Sequence, residues 1–137
     1  MSFVLDSSVA LTWCFEDERT AGTEALLKRV VESGAVVPVL WPLEVLNALA
    51  MAERRRRVDR DTRHRLGALL RDLPIRVDLD GVAMAWTDTV SLAERCHLTM
   101  YDASYLELAR RLSMPLGTLD QALRKAAGTI HVPVLGK

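Results

Sequence analysis

Four acidic residues stand at positions from which they could bind a divalent cation together. Asp6, Glu44, Asp102 and Asp120 each follow a short apolar run, and each stands near the start of an expected helix. An apolar run that ends in a carboxylate is typical of the carboxyl end of a buried parallel strand, and open α/β sheets bind ligands at that edge. If the four acids meet there, their oxygen atoms suit Mg²⁺ or Mn²⁺.

Each acid also has an ordinary explanation when it is taken alone. Asp6, Asp102 and Asp120 could cap helices, and Glu44 could favour the positive end of a helix dipole. A cap contributes about 1 kcal/mol, whereas two carboxylates about 4 Å apart repel by roughly 4 kcal/mol at an effective dielectric constant of 20. Four acids at one sheet edge would therefore lose more than caps contribute, and a bound cation would remove the conflict.

The elements that must position these acids alternate along the chain. Strands are expected at residues 2–5, 36–40, 75–77, 98–100, 116–119 and 131–135, with helices between them. This alternation is typical of parallel βαβ units with helices on both faces of one sheet. It predicts an α/β fold, a three-layer α/β/α sandwich with a central, mostly parallel sheet, formed by one domain over residues 1–137.

Local signals refine these elements. Ser7 and Ser8 can cap the first helix, Gly34 ends the second, and Pro42 fits the first turn of the third. Pro38 predicts that the second strand is short or lies at an edge. Asp59 with Thr62 indicates another helix start.

Helical spacing also predicts which side chains face the core. The inward residues are expected to be Leu43, Leu46, Leu49 and Ala50 in the third helix, Leu66, Leu69, Leu70 and Leu73 in the fourth, and Val82, Ala85, Trp86 and Val90 on one face of residues 81–96. The leucines could instead form a groove for a partner's helix. Trp13, Trp41 and Trp86 are expected in the core, with stacking on bases as the alternative.

Composition excludes several classes of protein. The chain has 137 residues, half of them hydrophobic, and carries 18 basic and 18 acidic residues, so no global positive charge attracts nucleic acid. We find no secretory signal and no apolar stretch long enough to span a membrane. Cys14 and Cys96 are far apart and do not indicate a disulfide framework or a zinc site. The expectation is a soluble cytoplasmic protein.

Four segments carry a resemblance to a known family. Val4–Ser8, Trp41–Leu49, Tyr101–Tyr105 and Pro115–Asp120 occur in the family's order and span nearly the whole chain. In these segments the chain resembles the PIN-domain ribonucleases, in particular the VapC-type toxins of toxin–antitoxin pairs. The resemblance implies a PIN-like α/β/α sandwich, a Mg²⁺ or Mn²⁺ site, cleavage of RNA phosphodiester bonds, a cognate antitoxin and a homodimer.

The resemblance also implies roles for the acids. Asp6, Glu44, Asp102 and Asp120 become the metal-binding catalytic acids: Asp6 and Asp102 would hold a principal ion that Asp120 also contacts, and Glu44 would bind a second ion or orient the water. Some family members place another acid two residues after the last one, where this chain has Ala122. Whether one or two ions bind therefore stays open.

Other polar residues are candidates for support and substrate binding. Ser8 and Thr118 match positions where the family often keeps a small polar side chain beside the acids. Asn47 lies one turn after Glu44 and could bind a phosphate or the acid, or could simply be a polar residue on a helix face. The run Arg54–Arg57, with Arg60, Arg63 and Arg65, could bind phosphate, pair with acidic groups of an antitoxin, or form a solvated helix end.

The expected reaction is hydrolysis by a metal-bound water, which leaves a 5′-phosphate and a 3′-hydroxyl. His64, His97 and His131 do not lie beside an acidic segment. A ribonuclease mechanism that relies on paired histidines is therefore disfavoured.

Two rival functions come from other classes. A phosphatase with an aspartate nucleophile usually shows D-x-D after its first strand, whereas Asp6 is followed by Ser7 and Ser8. The other rival is a catalytically silent PIN-like domain that binds RNA or protein with structural acids. Four acids in motif order argue against this rival, because binding alone does not require them.

Overall fold

A five-stranded parallel sheet forms the centre of the computed structural model, which describes residues 1–137. The strands pair in the order β3-β2-β1-β4-β5. β2 and β3 lie on one side of β1, and β4 and β5 lie on the other. The carboxyl ends of β1 and β4 therefore form the topological switch point, which is where α/β sheets bind ligands. The strands are β1 (Val4–Leu5), β2 (Ala35–Pro38), β3 (Ile75–Asp78), β4 (Leu116–Gly117) and β5 (Val134–Leu135).

Helices flank the sheet, which confirms the predicted α/β/α sandwich and shows that its sheet is parallel throughout. A π-helical turn, Ala85–Thr89, joins two short helices, and a 3₁₀ turn spans Glu16–Glu18. No helix is both long enough and apolar enough to cross a membrane. The α-helices are α1 (Ser7–Thr12), α2 (Ala21–Ser33), α3 (Trp41–Arg54), α4 (Arg60–Arg71), α5 (Gly81–Met84), α6 (Val90–Cys96), α7 (Met100–Leu112) and α8 (Gln121–Thr129).

Several predicted helix boundaries are confirmed by their local contacts. Gly34 follows α2 with φ of 76°, a conformation that glycine adopts without a steric penalty. The Asp59 carboxylate accepts a hydrogen bond of 2.7 Å from the Thr62 backbone N–H and caps α4. Pro42 lies in the first turn of α3, where its missing N–H leaves no helical hydrogen bond unmade.

The core is densest where the central strands cross it. Phe3, Val4 and Leu5 are fully buried and belong to one cluster of 29 buried hydrophobic residues. A Cβ atom at Gly117 would lie 2.7 Å from the Phe3 ring, so only glycine fits at this point of β4. This close packing fixes the ends of β1 and β4 against each other.

The predicted strand at 98–100 is wrong. Met100 begins α7, and the Thr99 side chain caps this helix by accepting a 3.1 Å hydrogen bond from the Asp102 N–H. His97 ends α6 in the left-handed conformation, so the chain passes from one helix to the next without a strand. The cap therefore outweighs the strand propensity of the short apolar run.

The second strand is short, as predicted, but it does not lie at an edge. β2 has four residues and lies between β1 and β3. Pro38 is its last residue and pairs with Asp78, so its missing N–H affects only the end of the ladder.

Some side chains predicted to face the core are exposed instead. Leu43 is 73% exposed and Leu46 49%, because α3 buries Trp41, Val45, Leu49 and Ala52 along another stripe. Four further exceptions lie on other helical segments: Leu69 is 59% exposed, Val82 56% and Trp86 85%, and Ala85 is exposed as well. Trp13 and Trp41 are buried, as predicted.

An ion-pair network that the sequence analysis did not anticipate fixes the position of α7. The Arg111 guanidinium donates to Asp78 at the end of β3, at 2.7 Å, and to Glu107 on its own helix, at 2.9 Å. Asp78 also accepts from the Gly81 N–H at the start of α5. Hydrogen bonding from Arg111 is the main cause that holds the pKa of Asp78 below its usual value.

Candidate functional site

Asp6 lies directly after β1 and is nearly buried, with 5% of its surface exposed. Its Oδ2 atom accepts hydrogen bonds from the Ser8 hydroxyl at 2.6 Å and the Thr118 hydroxyl at 2.8 Å. The prediction that Ser7 or Ser8 caps α1 is wrong: the N-cap position is occupied by Asp6 without a side-chain cap. The Ser8 hydroxyl instead donates a hydrogen bond to Asp6 and accepts one from the Leu119 backbone N–H, which follows β4.

The segment after β4 completes this hydrogen-bond network. Thr118 is fully buried, and its hydroxyl also accepts from the Asp120 N–H at 3.0 Å. The Ser8 hydroxyl accepts from the Leu119 N–H at 3.0 Å. Asp120 caps α8 through Oδ1, which accepts from the Leu123 N–H at 2.9 Å, so its ordinary role as a cap is real. The ends of β1 and β4 are thereby joined around Asp6.

Glu44 and Asp102 come from two helices that begin at this edge of the sheet. Glu44 lies in the first turn of α3 and is half-buried, and its Oε1 atom accepts a hydrogen bond from the Tyr105 hydroxyl of α7. Asp102 lies in the first turn of α7 and is also half-buried. Unlike Asp6, it is placed by a helix start and not by a preceding strand.

The charges of the four acids influence one another. Burial is the main cause that raises the pKa of Asp6, Glu44 and Asp102 above their usual values. Hydrogen bonds from Ser8 and Thr118 oppose the shift at Asp6. Neighbouring carboxylates add to each shift: the charge of Asp120 acts on Asp6, and the charge of Asp6 acts on both Glu44 and Asp102.

No cation of the chain neutralises this cluster. None of the seven ion pairs in the protein involves Asp6, Glu44, Asp102 or Asp120. No three acidic, histidine or cysteine side chains are arranged as a preformed metal site. The chemistry of the donors nevertheless fits a hard divalent cation, because all are carboxylate oxygens with uncompensated charge.

The remaining candidates lie further from this cluster. Asn47 is exposed on α3, and no side-chain hydrogen bond holds it. In the arginine run, Arg57 has partners within the chain. It forms ion pairs with Asp17 at 2.9 Å and Glu18 at 2.6 Å, and its guanidinium lies over the Phe15 ring. Arg54, Arg55 and Arg56 stay exposed.

Sequence reasoning assigned no role to Tyr105, although the residue stands in a segment that carried the resemblance. Tyr105 follows Asp102 by three residues, and residues at this spacing share a helix face. That spacing was a usable signal. The partner of its hydroxyl, Glu44, lies 61 residues away and follows only from the tertiary structure.

Comparisons with known proteins agree with this fold. The family model for the PIN domain matches residues 3–129. Among solved structures, PAE2754 from Pyrobaculum aerophilum is similar with a TM-score of 0.68 and 22% identity, over 92% of this chain and 84% of that one. FitAcB from Neisseria gonorrhoeae is similar with a TM-score of 0.67 and 17% identity, over 98% and 96%. No curated protein matches the chain.

The raised pKa of Asp102 predicts a pH-dependent effect of its removal. In metal-free protein, Asp102→Asn should raise the free energy of unfolding at pH 7, because the native carboxylate is strained by burial and by neighbouring charge. A raised folded pKa favours the folded state below the usual value of 3.8, and this contribution is lost as the pH rises through the folded pKa. The gain from Asp102→Asn should therefore shrink as the pH falls from 7 towards 4.

Urea denaturation in EDTA at several pH values measures this difference. The control is Glu94→Gln, which removes an exposed charge of α6 that makes no ion pair. A stability difference for Asp102→Asn that stays constant with pH would contradict the electrostatic account.

Proposed function

This chain belongs to the PIN domain family, and from that premise we propose that it is a metal-dependent endoribonuclease, the toxin of a toxin–antitoxin pair. PIN domains are generally nucleases, which supports hydrolysis of phosphodiester bonds. The observation that carries the proposal is the set of four acids whose charge no basic residue of the chain neutralises. A bound divalent cation would compensate that charge.

The proposed roles follow from how each acid is held. Asp6 and Asp102, with Asp120, would bind a principal Mg²⁺ or Mn²⁺ ion, and Glu44 would bind a second ion or orient the attacking water. When bound, the ions supply a nucleophilic water at neutral pH and neutralise charge on the phosphoryl group. Ser8 and Thr118 orient Asp6 by hydrogen bonds, which leave its negative charge in place.

We predict that purified protein cuts RNA at discrete sites with Mg²⁺ or Mn²⁺ and that cleavage is lost in EDTA. Asp6→Asn should reduce cleavage by a factor of about 100 or more, because losing an electrostatic contribution of about 3 kcal/mol has that effect. Product ends are read by mass spectrometry, and 5′-phosphate with 3′-hydroxyl is expected. Glu94→Gln, which removes an exposed charge outside the cluster, should cut like the wild type.

Other outcomes of the same experiment select the rival functions. RNA binding without cleavage, in protein free of any bound partner, would indicate a silent PIN-like binding domain. Turnover of small phosphomonoesters without RNA cleavage would indicate a phosphatase. Full cleavage by Asp6→Asn would contradict the assigned site.

An antitoxin surface is supported by a cavity of about 510 Å³ between α3 and α4. The lining includes Trp41, Val45, Leu46 and Leu70, with Arg63 and Arg71 also on its wall. Leu46 is half exposed, and the buried Nε1–H of Trp41 has no hydrogen-bond partner. We propose that this groove binds an amphipathic helix of the antitoxin, which would bring apolar side chains for the cavity. Arg63 and Arg71 pair with Glu53 and Asp72 within the chain, so acidic groups of that helix would replace these partners.

Filling this groove should separate inhibition from catalysis. A Cβ atom at Gly67 would lie 3.5 Å from Leu46 Cδ2, in ordinary contact, so Gly67→Leu should fold while occupying the groove. We predict unchanged RNA cleavage and at least tenfold weaker inhibition by the cognate antitoxin, measured as the antitoxin concentration that halves the rate of RNA cleavage. Gly128→Leu is the matched control, because a Cβ atom there meets nothing within 4 Å. Inhibition equal to that of the wild type would place the antitoxin on another surface.

A homodimer is supported by an exposed apolar face formed by the segment after β2, the helical segments from α5 to α6 and the start of α7. Five of the eleven exposed large hydrophobic side chains line one cavity of about 520 Å³. Between 41% and 85% of each of these five side chains is exposed, and a contiguous exposed apolar patch is typical of a protein–protein interface. The five are Val39, Val82, Trp86, Met100 and Tyr101.

Trp86→Ala should shift the protein from dimer to monomer, because it removes the largest exposed side chain of this face, which is 85% exposed. Sedimentation equilibrium over a range of concentrations measures the change, which we expect to be at least tenfold in the dissociation constant. The control is Val31→Ala, at an exposed apolar position of α2 outside this face. A wild-type monomer whose Trp86→Ala variant binds RNA more weakly would assign the face to base stacking.

A further inference from the structure

Tyr105 makes the one side-chain contact that connects α7 to an acid of α3 within the site. Its hydroxyl donates a hydrogen bond to Glu44 Oε1, and its ring is fully buried. None of the roles assigned to the four acids uses this residue. It lies three residues after Asp102, so the helix that carries one acid also contacts another.

The donor is rigid, whereas the acceptor is not. α7 packs against β1, β2 and β4, and the completely buried Tyr105 ring cannot leave this packing without opening the core. Glu44 is half-buried and carries three side-chain torsions, so without a partner its carboxylate would sample several rotamers. The hydrogen bond from Tyr105, with a smaller contribution from the Ser7 side chain, therefore selects one orientation of Glu44.

The hydroxyl orients Glu44 without neutralising it. A phenol donor leaves the negative charge on the carboxylate, unlike an arginine or lysine partner. It engages Oε1, so Oε2 can still act as a ligand. The arrangement is analogous to that of Asp6, which accepts from the neutral hydroxyls of Ser8 and Thr118.

We propose that Tyr105 is a positioning residue that holds the Glu44 carboxylate in the orientation in which it binds the second divalent cation, beside the ion assigned to Asp102. This inference rests on the proposed metal-dependent function. The competing explanation is that a buried hydroxyl needs an acceptor and Glu44 merely provides one. The two explanations differ in what happens when only the hydroxyl is removed.

Tyr105→Phe removes that hydroxyl and keeps the ring. If Tyr105 positions Glu44, affinity for Mn²⁺ measured by isothermal titration calorimetry should fall by about 10–100-fold, the usual effect of losing a group that orients a ligand. In RNA cleavage, kcat should fall while KM stays unchanged, because Tyr105 is buried and does not contact the substrate. If the hydroxyl merely needs an acceptor, metal affinity and kcat should be those of the wild type.

A double-mutant cycle identifies the residue through which Tyr105 acts. Once Glu44→Gln has removed the metal-binding carboxylate, adding Tyr105→Phe should cause no further loss of Mn²⁺ affinity. Losses that multiply in the double variant would overturn the proposal. Ser91→Ala is the control, because it also removes a hydroxyl, at an exposed position of α6 outside the site and outside both cavities, and it should leave affinity and kcat unchanged.

The readouts separate this inference from the proposed function. If wild-type protein binds Mn²⁺ but cuts no RNA, the nuclease proposal fails, and the positioning role is decided by Mn²⁺ affinity alone. If wild-type protein binds no Mn²⁺, both proposals fail.

If Tyr105→Phe does not fold, as judged by circular dichroism, Glu44→Asp is the substitute variant. It withdraws the carboxylate from Tyr105 and should weaken Mn²⁺ binding similarly. Wild-type affinity of that variant would overturn the proposal.

Discussion

The burial of carboxylates beside one another, without a basic partner, is the constraint on which the candidate site depends. Elsewhere the chain neutralises its buried acids, since Arg111 pairs with both Asp78 and Glu107. At the switch point of the sheet it does not, and burial together with neighbouring charge raises the pKa of three of the four acids. These uncompensated charges lower the stability of the metal-free protein, and a bound divalent cation would compensate them.

Neutral donors allow the fold to maintain this charge. Ser8 and Thr118 hold Asp6, a backbone N–H holds Asp120, and the Tyr105 hydroxyl holds Glu44. Hydroxyl and amide donors fix the direction of a carboxylate but leave its charge available, whereas an arginine would fix and neutralise it together. The close packing of β1 against β4 and the ion-pair network of Arg111 give these donors a rigid base.

Some apolar residues on the helices pack in the core and others lie on the surface, and helical periodicity does not distinguish the two groups. α3 carries a buried stripe that includes Val45 and Leu49, and beside it lie the exposed Leu43 and Leu46. The helical pattern is the same for a core stripe and for a surface stripe, because both require apolar residues every three or four positions. The sequence prediction therefore placed surface residues in the core, and Trp86 shows the same error on the π-helical turn.

The sequence by itself determined the alternation of elements, and it predicted the four acids whose charges act on one another in the structure. Apolar runs, Gly34, Pro42 and the Asp59 cap act over a few residues, so the parallel α/β class could be predicted from local rules. Tertiary structure decided that Asp102 is placed by the Thr99 cap and not by a strand. It also decided that the hydroxyl of Tyr105 meets Glu44. Contacts between residues far apart in the chain depend on how whole elements pack, and no local pattern encodes that packing.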